Sequence, residues 1–173
     1  LALGWGEFYR RRGQAVEYAQ HDDFDRANEQ LERALKVAEQ HEFTSWMTEA
    51  EGELGALYRD VASKHVEKGE MDAALVLWQE AEGKLLAAYG FHQKEKAYYS
   101  MADLLDDLCE LNITRHRFKV DARKLLESHL AQLDDLARQH KFPRYLARVA
   151  EMRAELAWED AKYSQAIEHY VSA

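Results

Sequence analysis

The chain has 173 residues, of which 47% are hydrophobic and 32% charged, enough to form one sizeable core, and it is predicted to be a single domain over 1–173. Its formal net charge of -9 argues against binding to nucleic acid or to anionic membranes, because both carry phosphate groups that require a basic surface. One proline and eight glycines leave little to interrupt helices, so the composition favours helix nearly throughout.

Apolar residues recur at helical spacing along the chain and predict eight helices. In chain order, the predicted helices cover about 3–20, 24–40, 45–67, 71–89, 93–111, 119–140, 143–161 and 163 onward. Gly69, Gly90 and Asn112 are expected to end helices in the left-handed conformation. Pro143 suits the first turn of a helix. The joints are short, so consecutive helices are expected to be antiparallel.

Small residues that follow the turns repeat, and they anchor a unit at Ala27, Ala74, Ala122 and Ala166. These anchors are 47, 48 and 44 residues apart, and an apolar or aromatic residue follows each of them four places later, at Leu31, Trp78, Leu126 and Tyr170. The pattern predicts four copies of a helix pair with a repeat of about 46 residues. The third copy fits least well, because irregular sequence over 112–118 precedes its anchor.

The first copy shows the order of small and large side chains most clearly. It runs through Ala15, Tyr18, Asp22, Phe24, Ala27, Leu31, Ala34 and Leu35. This order resembles the tetratricopeptide repeat (TPR), in which small residues lie where paired helices cross and larger ones fill the gaps. The copies around Ala74 and Ala166 keep the same spacing. Because the unit is longer than the standard 34 residues, the chain resembles the extended-helix TPR arrays of bacterial regulators and signalling ATPases.

This resemblance implies an all-α, right-handed superhelical stack of about four antiparallel helix pairs, which is a TPR-like solenoid. It also implies a protein-protein interaction module, either a scaffold or a regulatory binding domain, that holds a protein or peptide partner in its concave groove. An alternative is a sensor or oligomerisation segment of a bacterial signal-transduction ATPase or transcription regulator, because the stretch 161–170 is similar to the repeats of such arrays.

In the family that the chain resembles, the first helix of each pair lines the groove. Where the register is clear, the corresponding positions are Tyr9, Arg12, Arg59, Ser63, Arg148, Glu151, Glu155 and Trp158. The resemblance therefore implies a row of three arginines that suits carboxylates, and hence an acidic partner. Local ion pairing is the alternative for these arginines, since Arg148 and Glu151 have the i,i+3 spacing.

A basic run stands out in the otherwise acidic chain and offers an alternative docking site. Its members are Arg115, Arg117, Lys119 and Arg123. These side chains would suit an acidic segment or a phosphate group of a partner. The other interpretation is a mobile loop and a helix start whose charges have no special role.

No spacing in the sequence indicates a catalytic site, a metal site or a cofactor. The histidines lack the partners that zinc and di-iron helices carry three or four positions away. One helical face carries the acids Asp103, Asp106, Asp107 and Glu110. The simplest interpretation of this face is that it is solvated. We therefore expect a protein that is not an enzyme, and an enzyme that uses these acids or the histidines is the rival hypothesis.

Cysteine usage and hydropathy bear on the compartment. Cys109 is the one cysteine, so the chain can form neither an internal disulfide nor a thiol metal site, which favours a reducing, cytoplasmic location. The longest apolar run, Ala73–Trp78, is far shorter than the roughly 20 residues of a membrane span.

The two ends of the chain predict that it is a segment of a larger protein. It begins with Leu1, and it ends inside a predicted helix. That last helix would leave an apolar stripe of Tyr163, Ile167 and Tyr170 uncovered. We therefore expect self-association through the uncapped C-terminal helix.

Overall fold

The computed structural model describes residues 2–6, Arg10 and 23–172, and residues 2–6 and Arg10 are helical. Seven helices follow within 23–172: α1 Asp23–Gln40, α2 Thr44–Glu67, α3 Met71–Glu95, α4 Tyr98–Arg117, α5 Arg123–His140, α6 Pro143–Glu159 and α7 Tyr163–Ser172. Among the residues described, the backbone contains no strand. The prediction of an all-helical fold is therefore confirmed.

The helices are joined by tight turns that share one backbone motif. Each of the joints between α1 and α7 contains one residue with positive φ: Glu42, Gly69, Lys96, Lys119, Lys141 and Ala161. After α2, the N–H of Gly69 donates to the carbonyl of Val66, and the N–H of Glu70 donates to the carbonyl of His65. These two bonds satisfy carbonyls that the helix end leaves open, as in a Schellman motif.

The predicted ends of two helices are wrong. Gly90 lies inside α3, which continues to Glu95, and Lys96 takes the left-handed conformation instead. Asn112 lies inside α4, where its buried amide donates to the carbonyl of Leu108 at 2.8 Å. The stretch 112–118 is therefore helical up to Arg117. Gly69 and Pro143 take the predicted positions at a helix end and a helix start.

The structure divides into two compact units, unit 1 Leu1–Glu95 and unit 2 Lys96–Ala173. In unit 1, α2 packs against both α1 and α3. In unit 2, α4, α5, α6 and α7 pack in chain order, and α4 also contacts α6. Because the joints are short, consecutive helices within each unit are antiparallel, as predicted. The assignment of 1–173 to one domain stays a prediction.

The anchor alanines of the repeat are buried, but the third anchor is out of register. Ala27, Ala74 and Ala166 are fully buried within their helices. Ala122 is buried too, yet it precedes α5, and its carbonyl accepts the N–H of Leu126. The carbonyls of the cap residues before α3 and α7 accept the N–H groups of Ala74 and Ala166 in the same way. Leu126 therefore occupies the anchor position of the third pair.

Alanine substitutions at two glycines test the packing of α2 on α3, because the expected changes in the free energy of unfolding have opposite signs. A Cβ on Gly55 would lie 2.9 Å from Cγ of Leu85 and 3.1 Å from the carbonyl oxygen of Ala81. Gly55→Ala is therefore expected to lower the free energy of unfolding by about 1–3 kcal/mol. Gly83 on α3 has no such neighbour within 4 Å, so Gly83→Ala is expected to raise it by roughly 1 kcal/mol. Urea unfolding that finds the same sign for both changes would contradict this packing.

Candidate functional site

A row of polar contacts joins α4 to α6 in unit 2. Near the starts of the two helices, Arg144 Nη1 donates to the hydroxyl of Tyr99 at 3.4 Å. Near their ends, Arg117 Nη2 donates to Glu155 Oε2 at 2.9 Å. Because the partners occur in the same order along both helices, α4 and α6 run parallel. We call this row of α4–α6 contacts the polar seam.

Arg148 is the centre of the polar seam, and its guanidinium binds three carboxylates. Nε is 3.2 Å from Asp106, Nη2 is 2.7 Å from Glu110, and Nη1 is 2.5 Å from Glu151. Burial raises the pKa of Asp106 to about 6 although Arg148 opposes the rise, and the nearby charges of Glu110 and Asp107 add to it. The local ion pair between Arg148 and Glu151, left open as an alternative by the sequence, is present.

The acids of α4 do not form the solvated face that their spacing predicted. Asp103, Asp106 and Asp107 are each half-buried, because α6 packs on this side of α4. The fully buried Tyr145 donates its hydroxyl to Asp103. Burial also raises the pKa of the Cys109 thiol, which therefore stays protonated inside the core.

Arg59 is buried, although the TPR resemblance implied that it would lie exposed on the groove. Its exposed fraction is 5%, and its Nε and Nη2 donate to Asp60 Oδ1 at 3.0 and 2.9 Å. Arg10 donates to the other oxygen of Asp60 at 3.1 Å and to Glu53 at 3.2 Å. Asp60 is thus a buried aspartate of unit 1 that pairs with both arginines. The hydroxyl of Ser63 donates to the backbone carbonyl of Arg59.

The expected row of groove arginines is therefore only partly visible. Tyr9 and Arg12 lie outside the described residues. Arg59 and Arg148 each direct their guanidinium at carboxylates of their own unit. The use of these positions by a partner stays a prediction.

The basic run spans the end of α4, the joint after it and the start of α5, and two of its arginines are ion-paired within unit 2. Arg115 and Arg117 lie in the last turn of α4, exposed Lys119 lies in the joint, and Arg123 begins α5. Arg117 Nε donates to Glu159 at 2.8 Å. Arg123 donates to Glu127 at 2.7 Å and to Asp160 at 3.1 Å. The ends of α4 and α6 are thereby held together.

A surface pocket of about 320 Å³ lies where the two predicted sites meet, and we call it the Trp158 pocket. It is lined by Arg117, Glu155, Trp158, Glu159 and Tyr170. Glu155 and Trp158 were predicted as groove positions, whereas Arg117 was predicted as part of the alternative docking site. The aromatic side chains of Trp158 and Tyr170 are 59% and 51% exposed. The pocket thus combines accessible aromatic surface with one arginine and two carboxylates.

Sequence reasoning missed Glu159 and Tyr170 as members of this pocket. Glu159 follows Glu155 by one helical turn, and that spacing was the available signal for two acids on one face. Tyr170 was predicted as part of an exposed stripe on the last helix, but α7 also turns it towards the end of α6.

Within the described residues, no group of three or more His, Cys, Asp or Glu side chains is placed to hold a metal ion. No helix in that part of the chain combines the length and the apolar character that crossing a bilayer requires. No protein-family model, no curated protein and no solved structure matches the chain.

Proposed function

We propose that this chain is a TPR-like protein-interaction module that holds a protein or peptide partner on the face formed by α4, α6 and α7. The observation that carries the proposal is the Trp158 pocket, where two half-exposed aromatic rings stand beside Arg117. Tryptophan, tyrosine and arginine are the residues most enriched among those that dominate binding energy at protein interfaces. A contiguous exposed aromatic surface is also uncommon unless it is a contact site.

The helix arrangement supports the family part of this proposal. Antiparallel pairs whose first helices, α4 and α6, run parallel are what a TPR-like stack requires. We propose that the whole chain forms a right-handed superhelix of about four such pairs, with the Trp158 pocket on its concave face. A cytoplasmic location, expected from the single cysteine, belongs to the same proposal.

The charges favour unit 2 as the docking unit for an acidic partner. Unit 1 carries 11 Lys and Arg against 19 Asp and Glu, a net charge of -8, whereas unit 2 carries 12 against 13, a net charge of -1. An acidic segment is therefore repelled less by unit 2. In the Trp158 pocket, a carboxylate of the partner would compete with Glu155 and Glu159 for Arg117, and an apolar side chain would lie against the aromatic rings.

An oligomerisation segment is the second candidate function. It is favoured by the exposed side chains of Tyr163, Ile167 and Tyr170 on α7. These would bury apolar surface between two copies of the chain. Sedimentation that finds a concentration-dependent dimer would favour this function.

Trp158→Ala tests the proposed function against a matched change elsewhere. Trp46, 54% exposed in unit 1, provides the control Trp46→Ala. Proteins captured from a lysate by the full chain should be lost with Trp158→Ala, with at least tenfold weaker binding, which corresponds to about 1.4 kcal/mol. They should be retained with Trp46→Ala. Capture that survives Trp158→Ala and fails with Trp46→Ala would refute the assignment of the contact face.

A further inference from the structure

Aromatic side chains cluster in unit 2 at the starts of α4 and α6, the end opposite to the Trp158 pocket. Tyr98 stacks on His140, the last residue of α5, with their ring centroids 3.9 Å apart. Tyr99 meets Phe142, in the joint before α6, edge to face at 5.5 Å. Tyr98 and Tyr99 are 37% and 51% exposed. An exposed aromatic surface of this kind is typical of a contact site.

Arg144 lies on this cluster and, within the described residues, forms no ion pair. Its guanidinium carbon is 5.3 Å from the centroid of the Tyr145 ring, and Nη1 donates to the Tyr99 hydroxyl at 3.4 Å. Asp103 acts on Arg144 through its charge, but this half-buried carboxylate accepts the hydroxyl of Tyr145. A guanidinium that is already held in place loses less freedom when it binds a carboxylate. We call this surface the Arg144 patch: Tyr98, Tyr99, His140, Phe142 and Arg144.

The end of unit 2 that carries the Arg144 patch is basic. It comprises the joint and first turn of α4 (96–101) and the last turn of α5, the next joint and the first turn of α6 (137–146). These stretches contain four cations, Lys96, Arg138, Lys141 and Arg144, and no acid, a net charge of +4 in a chain of -9. In the part of the chain that the structure describes, Arg138 alone of the four is ion-paired. The positive potential at this end attracts negative groups.

We propose that the Arg144 patch binds an acidic segment of a partner protein, at a site separate from the Trp158 pocket. A carboxylate of that segment accepts two N–H groups from Arg144. An apolar neighbour of the carboxylate lies against the exposed ring of Tyr99, which keeps water from the ion pair and so strengthens it. Arg117 of the Trp158 pocket, by contrast, is already bound to two carboxylates of its own unit.

The probe is a fluorescently labelled synthetic peptide that repeats Glu-Glu-Leu. Its binding to the full chain is measured by anisotropy at low ionic strength, where charge pairs are screened least. We expect a Kd below about 1 mM for the wild type and at least about tenfold weaker binding for Arg144→Gln. The matched control Arg138→Gln removes the same charge from an arginine that is already paired, and it should weaken binding by less than about twofold. Both arginines are exposed, so neither change should prevent folding.

Equal weakening by Arg144→Gln and Arg138→Gln would overturn the inference, because binding would then follow net charge and not the patch. No binding of the wild type at about 1 mM peptide would also overturn it. Displacement of the peptide by an equal concentration of inorganic phosphate would make a phosphate group the ligand instead of a carboxylate.

Trp158→Ala separates this inference from the proposed function. The variant should bind the peptide like the wild type, because the Arg144 patch lies at the other end of α4 and α6. Loss of peptide binding with Trp158→Ala but not with Arg144→Gln would place the acidic segment in the Trp158 pocket. In that case the proposed function stands and only the Arg144 patch is refuted.

Discussion

Arg148→Met is expected to lower the free energy of unfolding by about 3 kcal/mol at pH 7. The guanidinium of Arg148 binds Asp106, Glu110 and Glu151 along the polar seam. Methionine preserves most of the aliphatic contact but leaves these partly buried carboxylates without their cation. The expected loss lies at the low end for buried ion pairs because Arg148 is partly exposed. Urea unfolding at constant ionic strength measures the loss.

Arg138→Met is the matched control for this change. Arg138 is an exposed arginine of unit 2 that pairs with Asp134 one turn away on α5, at 2.7 Å. Asp134 is buried but keeps Arg153 as a second cation at 2.9 Å, and an ion pair with so exposed an arginine contributes about 0.3–0.5 kcal/mol, so the control should unfold almost like the wild type. Similar losses for the two variants would show that the polar seam contributes no more than a surface pair.

The ion pairs of Arg59 and Arg148 also correct an expectation drawn from the sequence. The row of groove arginines that the TPR resemblance implies would predict that reversing Arg59 and Arg148 to glutamate weakens partner binding with little change in stability. Arg59 is buried against Asp60, and Arg148 is bound to three carboxylates, so the reversal places additional negative charge beside existing carboxylates. Loss of binding in that variant would follow from unfolding, which is why Trp158 is the better position for a binding test.

Asp106→Asn is expected to stabilise the protein at neutral pH by up to about 3 kcal/mol. Burial raises the pKa of Asp106 from 3.8 to about 6, and the charges of Glu110 and Asp107 add to the rise, while Arg148 only partly opposes it. Between these two pKa values the folded protein retains a proton that the unfolded chain has lost. The contribution of Asp106 to stability therefore falls as the pH rises from about 4 to about 6. Asparagine imitates the uncharged form and removes this dependence.

Thermal or urea unfolding between pH 4 and pH 7.5 measures the difference. The stability curves of the wild type and Asp106→Asn should separate as the pH rises through this window. Asp135→Asn, at an exposed aspartate of α5, should not produce such a separation. Parallel curves for the wild type and Asp106→Asn would show that ionisation of this carboxyl costs the fold nothing.

Helix positions could be predicted from the sequence because the apolar period is nearly continuous. Pro143 and Gly69 also marked a helix start and a helix end correctly. The ends at Gly90 and Asn112 were wrong, because most joints place a residue other than glycine in the left-handed conformation, such as Lys96. The two bonds of a Schellman motif offset the modest cost of that conformation, so composition does not reveal where the turn falls.

Arg117, Glu155 and Trp158 of the candidate site were named singly from the sequence, but Glu159 was not, and their meeting in one pocket could not be predicted. Trp158 and Glu155 were implied as groove positions by the TPR resemblance, and the pair of Arg148 with Glu151 followed from i,i+3 spacing. The contact between Arg117 and Glu155 spans 38 positions and depends on the parallel packing of α4 on α6. The burial of Arg59 could not be anticipated either, because it depends on packing inside unit 1 and on an aspartate shared with another arginine.

The central claim is that a partner is held on the face of the Trp158 pocket. Hydrogen-deuterium exchange of the full chain, with and without a captured partner, tests it most directly, because contact slows exchange where the backbone is covered. Slower exchange across 155–171 is the result that the proposal predicts. Protection confined to 23–95, with exchange across 155–171 unchanged by the partner, would contradict it.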